Sequence, residues 1–177
     1  MTKWLDVAKT YEGLTEVSGP RSNPVILGWL QNEGGGKSWV KDDATPWCGA
    51  AMAGVFTEAG LKSIIPKEPL RARSWDNVGV ALDGPRVGCI ARIPRGNNTA
   101  QGHVALVEKF DAQYLWLRGG NQSDTFNVSR FRRSKHDVFR WPVPLKTPKD
   151  MEVQGSRIAA AAKRQQTDAA KGTTAST

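Results

Sequence analysis

The chain has 177 residues, of which 39% are hydrophobic, with seven tryptophans and a formal net charge of +8; that is enough apolar material for one domain with a real core and excludes a disordered chain. No apolar run approaches the roughly 20 residues needed to cross a bilayer, and the start MTKWLDVAKTYEG has no signal-peptide h-region, so neither a membrane span nor self-export by the general secretory route is expected. Two cysteines do not make a disulfide framework, and both are read as free thiols.

In chain order, Trp4, Leu5, Ala8 and Tyr11 form a helical stripe, and a first helix is predicted within residues 2–17. Ser22-Asn23-Pro24 offers a second helix start with proline in the first turn, leading into VILGWLQNE and stopped by Gly34-Gly35-Gly36. The glycines give a mobile approach to the next helical run, so residues 33–45 are expected to line one side of a cleft. Asp42 and Asp43 fall just after them. Two adjacent aspartates do not supply the six to eight oxygens that calcium takes, so no metal is expected, and Asp43 is instead expected to meet a cationic or amine-bearing part of a substrate.

The next stretch, TPWCGAAMAGVFTEAGL, places Cys48 behind Thr45-Pro46-Trp47 and at the head of a small, apolar, helix-periodic run. In the first turn of a buried helix, unpaired N–H groups and the positive end of the macrodipole favour a thiolate, the nucleophilic form of cysteine. A lone cysteine is equally a small core residue, and it needs a histidine before it implies chemistry. IIPKEPL then reads as a loop and RARSWDNVG as a helical turn whose Trp75 packs against the body of the domain.

From Gly88 the pattern changes to strands: GCIARIP, HVALVEKF, YLWLRGG, FNVSRF and VFRWP, separated by turn-rich pieces. Cys89, in the first of these, reads as core. The chain has two histidines. His103 opens a strand in which His103, Ala105 and Val107 share one face, and the small side chains there would leave room for the Cys48 helix to pack on that face. His136 lies in a basic stretch with no comparable setting. The strand YLWLRGG ends at Gly119-Gly120 and delivers Asn121 and Gln122. A cysteine nucleophile, a histidine base and an amide or carboxylate that orients the imidazole make up the triad logic of thiol hydrolases. The densest positive cluster, RFRRSK at 130–135, reads as a solvated strand face with Phe131 turned inward, so nucleic acid is not expected as a partner. Helices first and an antiparallel sheet afterwards indicate an α+β domain.

Taken together and in order, TPWCGAAMAGVFTEAGL, ARSWDNVG, GPRVGCIARIPRG, GHVALVEKF, LRGGNQSDTFNVSRF and FRWP resemble the papain-like peptidoglycan hydrolases of the NlpC and CHAP group, and within it a phage-associated branch. The resemblance spans roughly residues 20 to 142. It implies a papain-like NlpC/CHAP fold, with the nucleophile helix packed on the sheet, and hydrolysis of an amide bond in peptidoglycan without a cofactor. Carried over onto this chain, it makes Cys48 the nucleophile, His103 the base and Asn121 the third member, with Trp47, Asp43 and Gln122 as substrate-binding neighbours; relatives carry histidine, glutamate or another polar residue at the third position. It further implies an endolysin or virion-borne lysin, made in the bacterial cytoplasm and delivered to the wall, with an interbacterial toxin or a non-catalytic wall-binding module as alternatives. The hydrolase domain is expected over residues 1–145. Residues 146–177, rich in alanine and carrying +3 of the total charge, read as a tail without an apolar face, flexible alone or ordered by a phage particle or delivery partner.

Overall fold

The computed structural model describes residues 2–19, 21–33, 40–95 and 98–142, with the backbone alone over 98–100. The expected glycine stop at Gly34–Gly36 and the tail over 146–177 lie outside these residues.

Three helices come first: α1 (Lys3–Thr10), α2 (Pro24–Gly28) and α3 (Cys48–Glu58). Leu5 and Ala8 of α1 are buried, as the stripe predicts. The helix is shorter than the predicted 2–17 because residues 13–16 are recruited elsewhere. Gly13 takes a left-handed φ of +84°, and the chain then runs antiparallel to 124–126, with Gly13 N–H on Phe126 O (2.8 Å), Phe126 N–H on Leu14 O (2.7 Å) and Glu16 N–H on Asp124 O (3.0 Å). In α2, the Asn23 side chain accepts from Val25 N–H at 3.0 Å, which caps the helix, and Pro24 takes the position where a missing N–H costs nothing. A π-helical turn, Trp29–Glu33, continues it.

Helix α3 is apolar on every side, and residues Cys48 to Phe56 are all buried; a helix of this kind belongs inside a core. Its glycines allow close packing. A Cβ on Gly54 would enter the Trp29 ring, and one on Gly49 would strike the Pro69 carbonyl. A 3₁₀ stretch, Ala72–Asn77, comes after it, and its Trp75 is fully buried with its indole N–H on Pro69 O at 2.9 Å, the packing role expected of it.

Six strands then form one antiparallel sheet: β1 (Val80–Leu82), β2 (Ile90–Arg95), β3 (Asn98–Phe110), β4 (Tyr114–Gly119), β5 (Asn127–Arg132) and β6 (Val138–Trp141), ordered β1-β6-β2-β3-β4-β5. This is an α+β architecture. Strand β1 has no counterpart among the predicted strands; three residues long, it takes its hydrogen bonds from β6 and carries no periodicity of its own.

Which face of β3 meets the helix differs from expectation. Val104 and Leu106 join the buried cluster containing α3, Trp47 and Ile90, whereas Ala105 and Val107 do not. Those two are nonetheless fully buried, as are Ala91, Leu115 and Leu117. Both sheet faces are therefore dry. His103 on β3 stacks on Phe131 of β5, ring centroids 5.6 Å apart, although β4 lies between the two strands in the sheet order. Strands two apart in a flat sheet stand roughly 10 Å from each other, so this face is concave at its His103 end. The concavity explains the overturned expectation: β3 needs no helix over Ala105 and Val107, because the sheet closes over that face itself.

Candidate functional site

Cys48 is the first residue of α3, as the sequence implies. The residue before it, Trp47, contributes no side-chain cap, and the main-chain N–H groups of Val104, Gly49 and Cys48 act on the thiol in the direction that lowers its pKa. Val104 is the residue directly after His103, so the thiol lies against the strand segment that carries the histidine. Cys48 and His103 line one open cleft of 470 Å³, together with Gln122.

Gln122 decides the state of the histidine. Its amide nitrogen faces three acceptors, Leu117 O at 3.1 Å, Asn127 O at 2.7 Å and Asn127 Oδ1 at 3.0 Å. The NH2 group is thereby identified, and Oε1 must be the atom 3.0 Å from His103 Nε2. An amide oxygen only accepts, so His103 Nε2 carries the proton and Nδ1 is left as the basic nitrogen of the neutral ring. A tautomer chosen by a neighbouring amide is what a general base in a thiol hydrolase requires.

The residue that bonds the imidazole is thus Gln122; the expected third member, Asn121, also lines the cleft, but its Nδ2 donates to Glu16 Oε1 at 3.1 Å. Asn121, Ser123 and Asp124 all have left-handed φ values, +59°, +53° and +59°. Asparagine and aspartate tolerate that region better than most residues, and the three together reverse the chain so that position 122 faces the cleft. Fixing bonds hold the turn: Gln122 N–H on Thr125 O (3.0 Å), Asn127 Nδ2 on Gln122 O (2.8 Å) and Ser129 Oγ on Asn127 Oδ1 (2.7 Å).

The other expected substrate contacts are structural. Trp47 is 0% exposed, with its indole N–H on Glu16 Oε1 at 2.6 Å, and a Cβ on Gly120 would land in its ring. Asp43 is 2% exposed and its Oδ2 accepts from the N–H groups of Val17 (2.9 Å) and Asn23 (2.7 Å). That carboxylate ties two chain segments together and is not presented to a ligand. Gln122, also buried, is committed to the histidine. Among the described residues, no group of three His, Cys, Asp and Glu side chains could hold a metal ion. His136 is exposed, and Arg92 Nη1 donates to its carbonyl at 3.2 Å.

Glu16 is the residue that sequence reasoning missed. One of its oxygens receives both the Trp47 indole and the Asn121 amide, so a single carboxylate joins the residue before Cys48 to the residue before Gln122. Burial and the neighbouring Asp124 and Asp43 raise its pKa, opposed by those two bonds. No local pattern marks it: it stands in an ordinary stretch, LTEVSG, and acquires its role only when residues 13–16 pair with 124–126.

Electrostatically the Cys48 thiol and the His103 imidazole both favour their uncharged forms. Burial pushes the Cys48 thiol above its usual pKa, against the pull of the three N–H groups and of Arg95. The His103 imidazole is pushed down to about 4, first by burial and also by Arg95, with the Gln122 bond opposing. The resting thiolate expected from the helix terminus is outweighed: a first turn stabilises an anion by roughly 0.3–1 kcal/mol, and loss of hydration costs more. A neutral thiol and a neutral imidazole that share a cleft can still react if the proton moves as sulfur attacks. Cys89 is a different case. It is fully buried, its thiol is pushed up to about 12 by that burial, and its sulfur accepts from Arg86 N–H at 3.4 Å.

Comparison with protein-family models, with curated proteins and with solved structures returns no match for this chain. The functional reading accordingly rests on the geometry of the cleft and on the motif resemblance.

Proposed function

We propose that this chain is a cysteine hydrolase of the papain-like NlpC/CHAP kind that cuts an amide bond in peptidoglycan. The observation that carries the proposal is the Gln122–His103 hydrogen bond, in a cleft shared with the Cys48 thiol, because it leaves Nδ1 as the free base. In the reaction, Cys48 Sγ attacks the carbonyl while His103 takes the thiol proton. In this reading the Cys48 N–H, at the head of α3, helps hold the oxyanion. His103 then returns the proton to the leaving amine, and water, deprotonated by the same imidazole, clears the thioester.

The substrate class comes from the ordered motifs PWC, GHV and GGNQ and their likeness to phage wall hydrolases. Either a bond between stem-peptide residues or the bond between the lactyl group and the first alanine meets the same chemistry. The same likeness favours an endolysin or virion-borne lysin, with the tail over 146–177 attaching the enzyme to its particle or delivery partner. A non-catalytic wall-binding module is disfavoured by the Gln122 network, since a pure binding surface has no use for a histidine held in one tautomer.

The test is mass spectrometry of muropeptides released from purified sacculi. Wild-type protein is expected to release fragments that define the cut bond, and Cys48→Ala to release none while keeping the melting temperature within a few degrees. Release by Cys48→Ala at the wild-type rate would refute the mechanism.

A further inference from the structure

Most of the cationic side chains packed into this domain are already engaged. Arg92 pairs with Asp76 at 2.7 Å, Arg118 with Glu108 at 2.9 Å and with Glu12, and Arg140 bonds the carbonyls of Val78 (2.7 Å) and Gly79 (2.9 Å). Arg95 stands apart. It ends β2 where the register with β3 shifts between Pro94 and Arg95, is exposed, and lines the cleft of Cys48 and His103. Its side chain has no hydrogen-bond or ion-pair partner among the described residues. Among the described residues no carboxylate lines the cleft, and Arg130, which also lines it, is held over the Tyr114 ring at 4.7 Å. The cleft is therefore positive without an internal counter-charge. Arg95 is also close enough for its charge to act on both members of the reacting pair.

We infer that Arg95 is the anchor for a carboxylate of the substrate next to the scissile amide, so that the cleft prefers peptides whose carboxyl groups are free over peptides in which they are amidated. A guanidinium presents paired donors that match the two oxygens of a carboxylate, whereas a carboxamide supplies one acceptor and no charge. Placement beside the reacting pair ties this preference to the cut bond and not to a remote part of the wall. The inference deepens the hydrolase reading and rests on it for the word scissile; the anion preference itself is a matter of binding.

The test uses the full-length chain carrying Cys48→Ala, so that ligand is not consumed, with two synthetic stem peptides that differ only in having free carboxyl groups or carboxamides. Titration calorimetry is expected to give a dissociation constant about tenfold to hundredfold lower for the acid, the usual range for a charge-assisted hydrogen bond. Adding Arg95→Gln is expected to bring the ratio toward one, and Arg95→Lys to leave it in between. Equal affinity for the two peptides, or a ratio that Arg95→Gln does not change, overturns the inference. Turnover of the same peptides by wild-type protein separates the two proposals: a binding preference without cleavage leaves the anion site standing and sinks the hydrolase reading.

Discussion

Exchanging Gln122 for glutamate gives the histidine the carboxylate that many hydrolytic triads place behind it. The structure predicts a loss. The Gln122 nitrogen lies 2.7–3.1 Å from three acceptors, two main-chain carbonyls and the Asn127 side-chain oxygen. In Gln122→Glu an oxygen carrying negative charge would face all three. At least two donated hydrogen bonds disappear, each worth about 1 kcal/mol, and the buried carbonyls they satisfied are left unpaired at about 1–3 kcal/mol; the variant should lose roughly 3–5 kcal/mol near neutral pH. For a domain of this size that lowers the melting temperature by about 10 °C.

The pH dependence distinguishes this cause from a general packing defect. Burial and the facing carbonyls raise the pKa of the new carboxyl in the folded state above its unfolded value. Its folded form prefers the proton, so the lost stability is regained below the unfolded pKa and disappears as pH rises through the folded pKa. Melting curves of wild type, Gln122→Glu and Gln122→Ala between pH 4 and 8 provide the assay, with peptide hydrolysis alongside. The gap between wild type and Gln122→Glu should narrow toward pH 4, and the gap for Gln122→Ala should stay nearly constant. A Gln122→Glu protein as stable as wild type at pH 7.5, or more active, would refute the assignment of the amide nitrogen and with it the His103 tautomer.

Three further outcomes come from the same geometry. Because His103 is held near 4 against 6.5 for an ordinary imidazole, the unfolded chain binds a proton that the folded one refuses; stability present above pH 6.5 falls by up to about 3 kcal/mol as pH drops toward 4. Urea unfolding at stepped pH should show that slope reduced in His103→Gln, and the acid limb of wild-type kcat/KM should lie well below pH 6. Glu16→Ala should lower kcat about tenfold with KM little changed, and Glu16→Gln, which keeps one acceptor oxygen, should recover part of it; equal losses in kcat and melting temperature for both would mean that the carboxylate serves stability alone. Cys89→Ala should cost about 1 kcal/mol in thermal denaturation and leave the rate of iodoacetamide inactivation unchanged, because the proposed mechanism uses the sulfur in the cleft.

How much of the molecule was legible in the sequence depends on how local each signal is. The place of Cys48 at a helix start was legible from the proline–tryptophan step into a small-residue helix, and His103 was legible as a strand residue from the alternation that follows it, although it does not open the strand: β3 begins at Asn98. The five longer strands were legible for the same reason, and three-residue β1 was not, since it exists only through its pairing with β6. Asn121 and Gln122 were both visible after the Gly119-Gly120 stop. Choosing between them required the backbone direction at three turn positions, Asn121, Ser123 and Asp124 on the left-handed side with Gln122 among them, and no periodicity encodes that. Trp47 and Asp43 were misjudged through adjacency: a residue beside a nucleophile in sequence points, in a helix start, back into the core, where the Trp47 indole meets Glu16. Glu16 itself shows the limit of local reading. Its partners are 31 and 105 residues away, and its carboxylate reaches both because a glycine ends α1 early and lets residues 13–16 join the far edge of the Gln122 turn. A residue that holds two halves of a site in register by tertiary pairing leaves no motif, so it must be sought in the structure, as the acceptor shared between the segments that carry the chemistry.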